Sequence, residues 1–166
     1  AGTWYADADG DGFGNSSLAT TACDAPAGSV ADSSDCDDGD ADVNPAATEV
    51  CNATDDDCDG TTDESDALDA ATWYADADGD GHGEPALTTI SCEAPAAYVA
   101  NATDCDDAEP AAWTGADEVC DLADNDCDGA TDELDAVDVG TWYADTDGDG
   151  YGDPAVVSIA CAAPVG

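Results

Sequence analysis

The stretch Thr3-Trp4-Tyr5-Ala6-Asp7-Ala8-Asp9-Gly10-Asp11-Gly12 returns unchanged at 72–81 and, with Thr146 in place of Ala, at 141–150. The step is 69 residues each time, from Thr3 to Thr72 to Thr141. The cysteines keep the same step: Cys23, Cys92 and Cys161; Cys36 and Cys105; Cys51 and Cys120; Cys58 and Cys127. A fixed period of this size makes the chain an array of equivalent units. It divides into repeat 1 over 3–71, repeat 2 over 72–140 and the start of a third over 141–166. The expectation is a window on a longer tandem array, in which Cys161 awaits a partner from a further copy. The alternative is a complete protein with a free ninth cysteine. Either way, the pattern suggests one binding unit used repeatedly rather than a single active site.

Composition limits what can hold such a unit together. The chain has 42 acidic residues, no Lys or Arg and a formal charge of −42. Self-repulsion on this scale opposes a compact state, and acidic chains poor in large apolar residues tend to disorder. The hydrophobic fraction of 43% is inflated by Ala, so burial alone gives each repeat too small a core. Nucleic acid is excluded as a partner because phosphate binding needs positive charge. Attraction to an anionic membrane fails likewise, and no apolar run reaches the length of a membrane span.

The local readings are of strands and loops. Thr3-Trp4-Tyr5-Ala6 is β-branched and aromatic, the segment from Leu18 to Cys23 reads as a second strand, and alternating Asp and Gly between them makes a turning loop. Each repeat is therefore expected to open with a β-hairpin. The acidic knot Asp35-Cys36-Asp37-Asp38 follows, then Glu49-Val50-Cys51, read as one helical turn, then a second Asp-rich loop. The fold class expected is mostly irregular with small β: tandem repeats of short hairpins and calcium-binding loops, stapled by disulfides, with little helix.

Calcium is a hard cation that takes about six to eight oxygens from carboxylates, carbonyls and water. Wrapping it requires acids at alternate positions and a Gly at the sharp turn. Asp124, Asp126 and Asp128 alternate, Gly129 turns, Ala130 offers a carbonyl, Asp132 follows and Asp135 closes the loop. Asp55, Asp57, Asp59, Thr61, Asp63 and Asp66 repeat the arrangement. The loop resembles that of an EF-hand, with Asp as the closing acid, and Glu64 or Glu133 is the alternative closure. The hairpin loops supply Asp7, Asp9, Asp11 and the Phe13 carbonyl; Asp76, Asp78, Asp80 and His82; and Asp145, Asp147, Asp149 and Tyr151. Leu18, Leu87 and Val156 stand where a closing acid would fall. The missing oxygens would come from the knots, Asp35, Asp37 and Asp38 or Asp104, Asp106 and Asp107. Alternatively each knot makes a third site with Asp40 or Glu109.

The strings Asp104-Cys105-Asp106-Asp107, Glu118-Val119-Cys120 and Asp124-Asn125-Asp126-Cys127-Asp128-Gly129 resemble the metal-binding motif of bacterial MopE-like surface proteins. The hairpin loops are also similar to thrombospondin type 3 repeats. The resemblance implies an extracellular, calcium-loaded repeat of surface or matrix proteins, without enzymatic activity. Copper is not carried over, since there is one His and no Met. Acidic surfaces also arise by adaptation to high salt, but that scatters acids, whereas these recur around fixed glycines.

Four cysteines per repeat allow three pairings. The simplest is between neighbours: Cys23–Cys36, Cys51–Cys58, Cys92–Cys105 and Cys120–Cys127. Thiolate zinc is the rival, though the C-x-x-C spacing expected of it is absent. Asn15, Asn52 and Asn101 head sequons and are candidate glycosylation sites. The function expected is structural: a calcium-rigidified rod or surface filament that self-associates, with several ions per repeat. The alternative is the calcium-stiffened stalk of an adhesin.

Overall fold

A computed structural model describes residues 1–164. It contains eight strands and, among the described residues, no helix. Strands β1 (Gly2–Ala6), β2 (Asn15–Ala22) and β3 (Ser29–Val30) form an antiparallel sheet in the order β2-β1-β3. Strands β4 (Ala71–Ala75), β5 (Glu84–Ser91) and β6 (Tyr98–Val99) repeat it as β5-β4-β6. Strands β7 (Gly140–Ala144) and β8 (Asp153–Ala160) form a two-stranded ribbon.

The first hairpin shows why the Asp loop sits where it does. Trp4 pairs with Thr20 and Tyr5 with Ala19, but Ala6 pairs with Asn15, so the ladder breaks between Tyr5 and Ala6. A break of that kind re-aims the chain and ends regular pairing, and the Asp residues begin directly after it. Gly14 lies where the hairpin meets β3. A Cβ there would stand 2.9 Å from the Asp32 carbonyl oxygen, from Tyr5 Cβ and from Val30 Cγ2.

Two compact units are present. The first comprises residues 1–72 together with 90–94; the second comprises 73–89 and the chain from 95 onward. The buried aliphatic side chains are only Val43, Ala67, Ala112 and Ala136 among the described residues. Burying one Val contributes about 2 kcal/mol and an Ala less, so hydrophobic burial is a minor term in this fold. Leu18, Leu68, Leu122 and Leu134 are more than half exposed. No helix of the described residues is long and apolar enough to cross a membrane.

The crosslinks do most of the holding, and they correct the neighbour pairing. Cys36 bonds Cys58 and Cys105 bonds Cys127, each across 22 residues. Cys51 bonds Cys92 and Cys120 bonds Cys161, each across 41. Loops of these lengths stabilise by about 3–4 kcal/mol each in the chain-entropy model. The physical reason is the path of the Asp loop. It folds Cys58 back beneath the knot, where the Cys36 N–H donates to the Cys58 sulfur. Cys92 and Cys161 close instead on the preceding motif, their sulfurs lying 3.8 Å from the Glu64 and Glu133 carbonyl oxygens. Cys161 thus needs no further copy, and the free cysteine is Cys23, which is exposed. With eight cysteines oxidised, no thiolate set for zinc remains among the described residues.

Candidate metal centre

The helical turn expected at Glu49-Val50-Cys51 is absent. Glu49 has another task. It is buried, its Oε2 accepts the Asp56 N–H at 2.8 Å and the Asp57 N–H at 3.3 Å, and its Oε1 accepts the Asp63 N–H at 3.0 Å. Glu118 repeats this with Asn125 at 2.8 Å, Asp126 at 3.4 Å and Asp132 at 3.0 Å. A carboxylate that takes several backbone donors is a strong acceptor, and here it pins both limbs of the loop to one point. The sequence reading left these two glutamates out of the site. Their recurrence in Glu-Val-Cys was the available signal.

Around that pin the acids build a cage from local bonds. Asp55 accepts the N–H groups of Asp59 and Gly60 at 3.1 Å, Asp57 that of Asp59 at 3.2 Å, and Asp59 that of Thr61 at 2.8 Å. Asp124, Asp126 and Asp128 do the same, ending on the Ala130 N–H at 2.9 Å. Asp side chains readily bond the backbone two residues on, so the alternating sequence dictates the winding. Gly60 and Gly129 take φ of 95° and 96°, which is glycine territory. Ligand oxygens of Glu49, Asp55 and Asp57 converge within 4.8 Å of one another.

The closing acids differ in how they are used. Asp63 Oδ1 accepts the N–H groups of Asn52 and Ala53 at 2.9 Å, and Asp132 Oδ1 that of Leu122 at 2.9 Å, so both hold a neighbouring turn. Asp66 and Asp135 are exposed. Glu64 and Glu133 have both carboxylate oxygens buried without a hydrogen-bond partner. Burial pushes both groups above the usual carboxylate range, and the charges of Glu118, Asp128 and Asp126 add to this at Glu133. Asp126 is also raised, by burial first and then by its acidic neighbours.

At the hairpins, Asp7 accepts the Gly10 N–H, Asp9 that of Asp11 and Asp11 that of Phe13. The knot lies alongside: Asp38 Oδ1 accepts the Ala8 N–H at 2.7 Å and the Asp35 N–H donates to the Gly14 carbonyl. Asp107 and Ala77, and Asp104 and Gly83, repeat these contacts. Asp37 and Asp106 instead cap the turns at Gly39 and Ala108. The His82 ring stacks on Trp113, with centroids 4.3 Å apart, and its Nδ1 lies 2.6 Å from Thr103 Oγ1. Asp145, Asp147 and Asp149 wind their own loop up to Tyr151.

The sequon amides are engaged internally. Asn52 Nδ2 donates to Asp56, Asn101 Nδ2 to the Gly81 carbonyl, and Asn15 Oδ1 accepts the Ser17 N–H.

An all-oxygen cage whose closing carboxylates are buried and unpaired, in a chain without Lys or Arg, fits a cation. No curated protein and no solved structure matches the chain. Residues 35–64 and 104–133, which run from knot to closing glutamate, match the Cu-binding MopE family model, described as "Putative metal-binding motif", and the chain thus carries two copies of that motif joined to disulfide-linked hairpins.

Proposed function

We propose that this is an extracellular structural repeat whose motif loops bind calcium and are made rigid by it. The observation that carries the reading is the pair of buried, unpartnered carboxylate oxygens on Glu64 and again on Glu133. A bare buried carboxylate is costly unless it is paired or coordinates a metal. Asp55, Asp57, Asp59 and Glu64, and Asp124, Asp126, Asp128 and Glu133, would hold the ion. Bound calcium would supply the positive charge that the side chains lack. The donor set is all hard oxygen, which suits calcium or magnesium over copper or zinc. Several carboxylates in an irregular loop favour calcium over magnesium, which demands a near-ideal octahedron and keeps its waters.

Disulfides form and persist in oxidising compartments, which supports an extracellular location. The role is structural rather than enzymatic, because the acids are committed to backbone bonds and to the cage. At a Kd of about 10⁻⁵ M and roughly millimolar calcium, each site adds about 2.7 kcal/mol to stability. That is a large share of the stability of a small domain. The loaded chain is a rod that self-associates into surface filaments; a stalk carrying another domain is the competing use.

Circular dichroism and limited proteolysis, with calcium, magnesium, copper or chelator at low and high sodium chloride, test the reading. Calcium alone should create the protease-resistant form. Protection by sodium chloride with no further effect of calcium would overturn it. Electron microscopy then separates regular fibres from single tethered rods.

A further inference from the structure

Both hairpin loops that lie beside a knot leave buried carboxylate oxygens without a hydrogen-bond partner. In the first, Asp9 Oδ2 and Asp11 Oδ2 are buried and unpaired, and Asp35 Oδ2, on the knot, is in the same state. Asp35 is only 8% exposed. Its other oxygen already accepts the Asp37 N–H at 2.8 Å. In the second, Asp78 Oδ2, Asp80 Oδ2 and Asp104 Oδ2 are likewise buried and unpaired, and Asp104 is 2% exposed. Oxygens of Asp9, Asp35 and Asp38 come within 4.8 Å of one another, as do those of Asp78, Asp104 and Asp107.

Burial is the main cause that pushes the Asp35 and Asp104 carboxyls above their usual range, with the facing Asp residues adding to it. Backbone bonds between hairpin and knot are few: Asp35 to Gly14 at 3.3 Å and Asp104 to Gly83 at 3.2 Å. Like charges are thus brought together across a junction that is otherwise closed by a few polar contacts, among them the Ala8 N–H to Asp38 and the Ala77 N–H to Asp107.

We propose that each of these junctions is a second, bipartite cation site, distinct from the motif loop. Asp9, Asp11, Asp35 and Asp38 hold one ion, and Asp78, Asp80, Asp104 and Asp107 hold another. The ion takes the class of a hard divalent cation, calcium above all, because every donor is a carboxylate oxygen. Its work is mechanical: it clamps the hairpin to the knot, and through Cys36–Cys58 and Cys105–Cys127 to the motif loop. The third hairpin loop, Asp145 to Gly150, is the internal control. It has the same alternating acids but, among the described residues, no knot beside it, and its acids are exposed. It is half a site.

The test is a calcium chloride titration of the whole chain, followed by amide resonances in solution. Resonances of Ala8 and Asp35 should move together, as should those of Ala77 and Asp104. The Asp145–Gly150 loop should respond only at about tenfold or more higher calcium, because ligand number tunes affinity. Equal midpoints for all three hairpin loops would overturn the proposal, as would hairpin and knot responding at separate midpoints. The variant pair Asp38→Asn and Asp107→Asn lies on the rim of the junction and should weaken the first two loops toward the third. No shift of their midpoints would also overturn it. Resonances of Asp55–Glu64 and Asp124–Glu133 report the motif loops independently, so failure at the junctions and failure of the calcium reading above are seen separately.

Discussion

The hairpin at β1–β2 and the one at β7–β8 share the Gly-Thr-Trp-Tyr-Ala strand and the Asp loop, though not the returning strand, and differ in how they are covered. Trp4 pairs with Thr20 and Trp142 with Ser158; the register then breaks after Tyr5 and after Tyr143 alike. The indole N–H donates to the opposite strand in both, to the Ala22 carbonyl and to the Ala160 carbonyl. Strand pairing and loop winding are thus properties of the local sequence. Burial is not. Tyr5 is half-buried against Val30 of β3, whereas Tyr143 is 53% exposed with no third strand beside it among the described residues. The hairpin keeps its pairing in both settings, and the third strand adds cover to the first.

That contrast can be broken from several sides. The largest effect is expected from opening Cys51–Cys92 with paired Ser substitutions, which should lower stability by about 4 kcal/mol. Denaturant unfolding measures it, and the paired change at Cys120 and Cys161 should cost about as much. Next, Glu49→Ala removes the acceptor of three backbone N–H groups, with an expected loss of about 3 kcal/mol. Proteolysis should then cut within 49–66 while 118–135 stays protected, since Glu118 is intact.

Tyr5→Ala against Tyr143→Ala sharpens the hairpin comparison directly. The covered residue should cost about 2 kcal/mol and the exposed one less than about 0.5 kcal/mol. Equal losses in thermal unfolding would mean that β3 contributes nothing to the packing of Tyr5.

A smaller effect comes from comparing the two motifs. In the first, Asn52 donates its amide to the buried Asp56; in the second, the buried Asn125 donates to Asp121. The polar pair is kept with its polarity reversed. Asn125→Asp therefore sets two carboxylates against each other and should cost about 1–2 kcal/mol. Adding Asp121→Asn recreates the arrangement of the first motif and should recover most of it, as a double-mutant cycle would show.

The last expectation concerns pH. Asp35, Asp104, Glu64 and Glu133 are all raised, chiefly by burial. A group with a raised folded pKa stabilises fully below its unfolded value and loses that contribution as pH rises through the folded one. The metal-free chain should therefore be most protease-resistant in acid and loosen toward neutrality. Calcium should reverse the slope, because it needs the ionised carboxylates.

What depends on short spacing was legible from the residues alone, apart from the helical turn expected at Glu49-Val50-Cys51. An Asp binds the N–H two residues on, so alternating Asp wound the loops at Asp7–Asp11, Asp55–Asp59 and Asp124–Asp128 as read. The aromatic and β-branched runs made the hairpins, and the period made the copies. Tertiary structure decided what depends on the path of an irregular chain. It joined cysteines 22 and 41 residues apart rather than neighbours. It turned Glu49 into the pin, gave Glu64 rather than Asp66 the buried position, and swung Asp35 against Asp9. No helical or strand period runs through these segments, so no periodicity in the sequence foretells which distant residues meet. Their meeting is fixed by many side-chain-to-backbone bonds acting together, each local and legible, their sum visible only in the fold.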